Sequence, residues 1–292
     1  MKTRSGTSYR VVFAVFFALI AAALTAGAGL YFHKLHYRRV AADHVPKDAW
    51  LALRVDAEKV IAYEPVRRHL LPLVDEAAAT KLEPKRSKRL QGSTRVELAV
   101  DLREVLVAVG PGEGDWVLVV GGLFPKTGVL EGLSRVLAAE GRTVHLDGDV
   151  LEVSGVAFGQ ARDGALVAAS SRERLSRALS AERGLELTGD PGVIEAAWRP
   201  GAQGTLARLG IREAPPSGRL RAQVTGEVTL RASGGEGAAL GQLLTQLGAS
   251  RVEAAAEGDG DARMGRLSRE DLDRAARHLA VWLAPQLGAA PR

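Results

Sequence analysis

The segment Val11–Phe32, VVFAVFFALIAAALTAGAGLYF, constrains this chain more than any other stretch. It runs 22 residues without a charge. At a helical rise of ~1.5 Å per residue it reaches ~33 Å, enough to cross a hydrocarbon core of ~30 Å. A helix keeps the backbone of a single crossing hydrogen-bonded in lipid, so the run predicts a transmembrane helix. Lys2, Arg4 and Arg10 precede it. Tyr31 and Phe32, then His33, Lys34, His36, Arg38 and Arg39, follow as an interfacial belt with a charged stop. A signal peptide has a shorter apolar core, and this run continues past the A-x-A site Ala26-Gly27-Ala28, so the expectation is an uncleaved anchor. The flanking basic residues tie in number. The usual export arrangement of a short tail, one span and a long C-terminal region then places the rest outside the cytoplasm. The expected location is the inner membrane, single-pass, with a periplasmic C-terminal domain and the lipid bilayer held through Val11–Phe32.

Charge is informative once it is divided. Residues 1–40 hold six Lys or Arg and no acid; taking these from the 39 basic residues leaves 33 against 34 acidic, a net of −1. The high pI therefore belongs to the flanks of the apolar run, and nucleic acid is not an expected partner. The absence of cysteine excludes disulfides, thiol catalysis and Cys-ligated metals. Beyond Phe32 eight aromatics (Tyr37, Trp50, Tyr63, Trp116, Phe124, Phe158, Trp198 and Trp282) lie scattered singly, as core residues do, and not as a stacking platform.

Patterning after residue 40 alternates strands and helices. Trp50–Val55 reads as a strand and Ala57–Ala79 as one or two helices broken by Pro65 and Pro72. Residues 80–95 read as a polar loop. Val105–Val109 and the apolar Trp116–Phe124 read as strands, the second a buried central one. Val129–Ala139 spaces Val129, Leu130, Leu133, Val136 and Leu137 on one helical face. Thr143–Leu146 and Val150–Val153 flank Asp147-Gly148-Asp149 as a hairpin. Val156–Gln160 and Ala165–Ala169 read as strands, and Ser170 or Ser171 caps a helix to Ser180. Gly184–Gly218 is punctuated by Pro191, Pro200, Pro215 and Pro216. Leu220–Ala232 alternates with period two as one half-buried strand. Ala238–Leu247 reads as a helix, and Val252–Ala256 with Ala262–Leu267 as a second hairpin around Asp259-Gly260-Asp261. A capped helix through Trp282 follows.

The order helix, strand, D-G-D turn, strand thus occurs twice, in 129–153 and 238–267. The expected fold is α+β: a transmembrane helix, then a mixed or antiparallel sheet with helices packed on it, built as two related units. The expected divisions are 1–40 for tail, span and flank, 41–190 for a first unit, 191–218 for a Pro/Gly-rich connection, and 219–292 for a second.

Val45-Pro-Lys-Asp-Ala-Trp-Leu-Ala-Leu-Arg-Val-Asp56 resembles the start of bacterial single-pass envelope families in which a Pro-x-Asp-Ala strand follows the anchor. Gly164–Leu179, GALVAASSRERLSRAL, is similar too, so the resemblance covers about residues 45–180. Those families carry no assigned activity, so the resemblance implies topology and not chemistry.

Chemical motifs are weak. Gly121–Gly128 places Lys126-Thr127 between a strand and a helix as a phosphate loop does, but Pro125 stands at the second glycine and removes an N–H. Asp147/Asp149 and Asp259/Asp261 lack the remaining oxygens of a calcium loop. The histidines at 33, 36, 44, 69, 145 and 278 form no ligand spacing. Lys85-Arg-Ser-Lys-Arg89 is a basic run that fits a solvated loop or anionic headgroups. Ala23-x-x-x-Gly27 and Thr25-x-x-x-Gly29 permit close helix pairing, hence a homodimer. No catalytic, cofactor or metal residue emerges. The reading is a non-enzymatic envelope protein with a structural or interaction role and another envelope protein as partner. A ligand-binding or sensory ectodomain is the alternative. An enzyme ranks last and requires Asp56, Glu97, Asp101 or His145 to gather in one pocket.

Overall fold

A computed structural model describes residues 37–62, 64, 68, 91–97, 101–180, 184–187, 192–208, 211–225, 227–255, 261–268, 270 and 273. By contacts the chain divides into Met1–Arg38 and Arg39–Arg292, and the architecture below belongs to the second. Its strands are β1 (Leu51–Asp56), β2 (Leu102–Val109), β3 (Trp116–Gly122), β4 (Val144–Asp147), β5 (Val150–Val153), β6 (Val156–Gln160), β7 (Leu166–Ala169), β8 (Ile194–Trp198), β9 (Gly218–Thr225), β10 (Glu227–Ser233), β11 (Arg251–Ala254) and β12 (Arg263–Leu267). Its described helices are α1 (Ala57–Ala62), α2 (Val129–Ala139), α3 (Arg172–Leu179), α4 (Gln203–Arg208) and α5 (Gly237–Gln246).

All twelve strands join one sheet in the order β11-β12-β10-β9-β8-β1-β2-β3-β7-β6-β5-β4. Every neighbouring pair is antiparallel. Local chemistry sets the turns. Gly148, at φ 58°, lets β4 turn back onto β5 within two residues. Ser171 caps α3 by accepting from the Arg174 backbone N–H at 3.2 Å.

Residues directly paired across strands share a face, so the register sorts side chains. One face receives α3, whose Leu175 and Leu179 lie over Gly159 of β6. The other receives α2 and α5. Leu130, Leu133 and Leu137 of α2 pack on Leu151, Val153 and Phe158. Leu240, Leu243 and Leu244 of α5 pack on Val228, Leu230 and Leu267, in a core that reaches Trp198 and Leu51.

The structure corrects the expected fold class. There are not two α+β units; one large antiparallel sheet with few helices runs through both halves. The joint is the pairing of β1 with β8, which the repeated D-G-D pattern did not contain. Residues 191–218 hold β8 and α4, so a sheet strand lies where a connection was expected. The Leu220–Ala232 strand is a hairpin of β9 and β10, paired symmetrically about position 226 from Thr225↔Glu227 onward. Symmetry about one position keeps even-numbered residues on one face in both arms, so the alternation runs through the turn unbroken.

The expectation of a transmembrane, single-pass signal-anchor helix is corrected as well. Among the described residues no helix is long and apolar enough to cross a membrane. The longest of them, α2, has 11 residues, ~17 Å of rise against a core of ~30 Å. Val11–Phe32 itself lies outside the described residues, as do most of the 57–79 helix, Lys85–Arg89, His33, His36, His69, His278 and the helix through Trp282.

Candidate functional site

One row of side chains crosses the sheet on the α3 face. It runs Val150, Gly159, Val167, Val119, Leu106, Arg54, Glu195, Arg221, Arg231, Met264 and Glu253, each directly opposite the next. Up to Leu106 the row is apolar, and at Arg54 it becomes ionic. Arg54 and Glu195 are each 4% exposed, and Arg54 Nη2 donates to Glu195 Oε2. Arg221 lies on the other side of the same carboxylate, its Nε 3.3 Å from Glu195 Oε1. Burying such charges costs several kcal/mol of desolvation per ion, offset only when the partners stay close. Glu195 is therefore held between two guanidinium groups.

Next in the row, Arg231 stands directly opposite Arg221. Like charges so placed destabilise a sheet by ~0.2–1 kcal/mol. Arg219 lies two positions along β9, opposite Ser233 of β10. Arg219, Arg221, Arg231 and Ser233, with Glu186 and Glu195, line a cleft of ≈250 Å³. Arg219 is 51% exposed and meets Glu186, 82% exposed, at 3.2 Å. That is a surface pair worth ~0–1 kcal/mol. With Arg54 behind Glu195, four arginines and two glutamates gather here among the described residues.

Other ionic clusters stand outside this cleft. Arg174 Nη1 donates to both carboxylate oxygens of Asp48 at 2.6 Å, and Arg177 Nη1 to one at 2.7 Å. Desolvation pushes the Asp48 carboxyl up, but the Arg174 hydrogen bond and charge, its own backbone hydrogen bond and the Arg177 charge outweigh it and hold it below its ordinary 3.8. A cavity of ≈540 Å³ beside this cluster is lined by Lys47, Asp48, Trp50, Arg177 and Arg199. There Arg199 already donates to the Lys47 carbonyl. His44 is buried, with Nδ1 2.9 Å from the Ala178 carbonyl and Nε2 2.9 Å from Asp163 Oδ2. Asp56, also buried, pairs with Arg39. Opposite it, Glu104 accepts from the Val40 and Ala41 backbone N–H groups at 2.7 and 3.0 Å.

The residues that an enzyme reading required do not gather. Asp101 accepts from the Glu97 backbone N–H at 2.8 Å. Asp56 is on β1, and His145 is exposed on β4, six strands away in the sheet order, ~29 Å at ~4.8 Å per strand. Lys126 and Thr127 are exposed in the turn before α2. Asp147 is taken by Arg172 at 2.6 Å. Among the described residues no three His, Cys, Asp or Glu side chains stand together as metal ligands. The cleft arginines escaped sequence reading, although Arg219, Arg221 and Arg231 all fall on the polar parity of the alternating stretch. Their meeting with Glu195 depends on β8, which was not foreseen.

No family model matches the sequence, and no curated protein matches it. Solved structures of TP0453 are similar in shape. Crystal form III is 11% identical with a TM-score of 0.48, the match covering 82% of this chain and 97% of that one. Crystal form I is 14% identical with a TM-score of 0.45, covering 82% and 98%.

Proposed function

We propose that this is a binding protein of the bacterial cell envelope that acts by holding another molecule through the polar face of its sheet, without chemistry of its own. The observation that carries the reading is the accessible cleft on the sheet's polar face, where the row of side chains turns from apolar to ionic. Asp48, Asp56 and Asp163 each sit within reach of basic partners. The cleft on β8, β9 and β10 brings Arg219, Arg221 and Arg231 together with Glu186 and Glu195 at an accessible surface. Guanidinium groups in a cleft favour partners that carry anionic groups. Location in the envelope is supported by the uncharged residues 11–32 with their basic flanks, and by the resemblance over residues 45–180.

The test is a pair of measurements on the full chain. Cell fractionation should recover it with the envelope, and a soluble envelope extract should raise its melting temperature, because a ligand that binds only the folded state stabilises it. The rise should shrink with added salt. Recovery in the cytoplasm, or no shift with extract at any salt concentration, overturns the reading.

A further inference from the structure

We propose that the outer edge of β4 pairs with β4 of a second copy of this chain, as an antiparallel ladder about a two-fold axis through Leu146. This contact stands apart from the cleft on β8, β9 and β10 and does not depend on what fills it.

β4 ends the strand order, so only its β5 side is paired within the sheet. Arg142, Thr143, His145, Leu146, Asp147 and Gly148 are all exposed, and Leu146 keeps 39% of its surface accessible. The unpaired N–H and C=O groups of such an edge are a template for another strand. At the opposite end of the sheet Val252, in the middle of β11, is instead half-buried against the α5 core.

The hairpin fixes which backbone groups point outward. Its tight turn makes Asp147 and Val150 a hydrogen-bonded pair. Such pairs alternate along an antiparallel ladder, so His145 and Glu152 form the next one. The backbone groups of Val144 and Leu146 then face away from β5, and a second copy can bond to them.

Side chains choose the register. His145 and Asp147 share the α3 face with Glu152 and Val150, while Leu146 lies beside Leu151 on the face that carries α2. Antiparallel pairing about Leu146 sets His145 opposite Asp147 of the second copy and, by symmetry, Asp147 opposite its His145. These are non-hydrogen-bonded positions, where opposed side chains stand closest. An imidazole N–H donates to a carboxylate there. Arg172 already holds Asp147 through Oδ2, which fixes the acceptor in place, and a carboxylate takes further donors. The two exposed Leu146 side chains meet on the axis and shield each other from water. Sliding the second copy by one repeat of the alternation either way sets His145 against His145 or Asp147 against Asp147, and like charges opposed in this way destabilise the pairing. A contact that uses one patch twice closes at two copies. So short a ladder buries less than the about 800 Å² per partner of a standard interface, so the dimer dissociates on dilution.

The chain has no cysteine, so introduced thiols read the register directly. Full-length His145→Cys and Asp147→Cys are oxidised with copper phenanthroline, each alone and mixed. In the mixed dimer the two thiols stand opposite at a Cα separation of about 4.5 Å, within the disulfide range of about 4.4–6.8 Å, and the second His145–Asp147 pair is intact. In either variant alone the thiols lie on a diagonal of about 7–8 Å, too far to bridge. The mixture should therefore give a covalent dimer and the separate variants little. Sedimentation velocity of the parent should show a monomer–dimer equilibrium. His145→Asp sets acid against acid on both sides of the axis and should weaken association by about tenfold or more. Adding Asp147→His to that variant should restore it. Melting curves confirm that these exposed substitutions leave the fold intact.

The proposal is overturned if the parent stays monomeric at every concentration, or if either cysteine variant alone cross-links as fully as the mixture. A dimer undiminished in His145→Asp also overturns it and places the contact on another surface, such as residues 11–32. A monomeric chain whose melting shift with envelope extract is lost in Leu146→Asp gives the edge to a different protein and overturns it too.

Discussion

The guanidinium of Arg174 lies directly on the Cα of Gly110: a β-carbon there would stand 1.4 Å from Nη2 and 2.5 Å from Cζ. Arg174 cannot swing away freely. Its side chain is 4% exposed, pairs with Asp48 at 2.6 Å and approaches Asp115 at 3.5 Å. One guanidinium thus ties α3 to the turn after β2 and to the segment before β1. Glycine is required at 110 for close approach and not for a special backbone angle.

Gly110→Ala should therefore lose about 1–3 kcal/mol, the usual cost of forcing extra atoms into a packed site. Urea unfolding measures it. In an Arg174→Ala background the obstacle is gone and the same change should cost little. Equal losses in both backgrounds would show that Arg174 is not the cause.

Val119 of β3 is fully buried, between Leu106 and Val167 in the register. Val119→Asp buries a charge with no partner and should cost more than about 3 kcal/mol, a large share of the roughly 5–15 kcal/mol that holds a domain together. Arg135 is exposed on α2, and Arg135→Asp should stay within about 0.5 kcal/mol. A Val119→Asp protein that melts like the parent would contradict the central placement of β3.

Glu195→Gln leaves Arg54 buried beside a neutral amide. Removing one partner of a buried pair costs about 3–5 kcal/mol, whereas replacing both with apolar groups of similar volume is near neutral. The double change Arg54→Met with Glu195→Leu should recover most of the lost stability. Chemical denaturation of these two variants beside the parent decides it, and a double variant no better than Glu195→Gln would argue against this account of the row.

Asp48 has its folded-state pKa lowered by Arg174 and Arg177 against the opposing effect of desolvation. A depressed carboxyl stabilises the fold above its unfolded value and loses that contribution as pH falls through the lower folded value. The melting-temperature gap between the parent and Asp48→Asn should be full at neutral pH and narrow only below the ordinary value of 3.8. A gap that closes well above that pH would show that another group carries it.

Much of the local structure was legible in the sequence. The apolar spacing of 129–139 marked α2 to its ends, the Asp147-Gly148-Asp149 turn marked the β4–β5 hairpin, and the pair Ser170-Ser171 marked the start of α3, where Ser171 is the cap. Each depends on a few adjacent residues. β8 was hidden because Glu195 sits mid-strand among prolines and breaks the apolar pattern. Its charge is tolerated only because Arg54 and Arg221 come from strands 141 and 26 positions distant in the chain. The candidate cleft shared that fate. Its arginines stood visibly on one parity of the 219–231 stretch, but parity alone says which side chains share a face and not what lies beside them.

The sequence by itself determined the alternation of faces, the helix caps and the tight turns, because backbone geometry at periods of 2 and 3.6 residues decides these within a few positions. Only the tertiary structure decided that both halves share one sheet, that β9 and β10 form a hairpin and not one strand, and that Glu195 sits between Arg54 and Arg221. These depend on which strands pair. Pairing is settled by burial and by charge balance across the whole sheet, and a strand's own residues specify its faces without naming its neighbours.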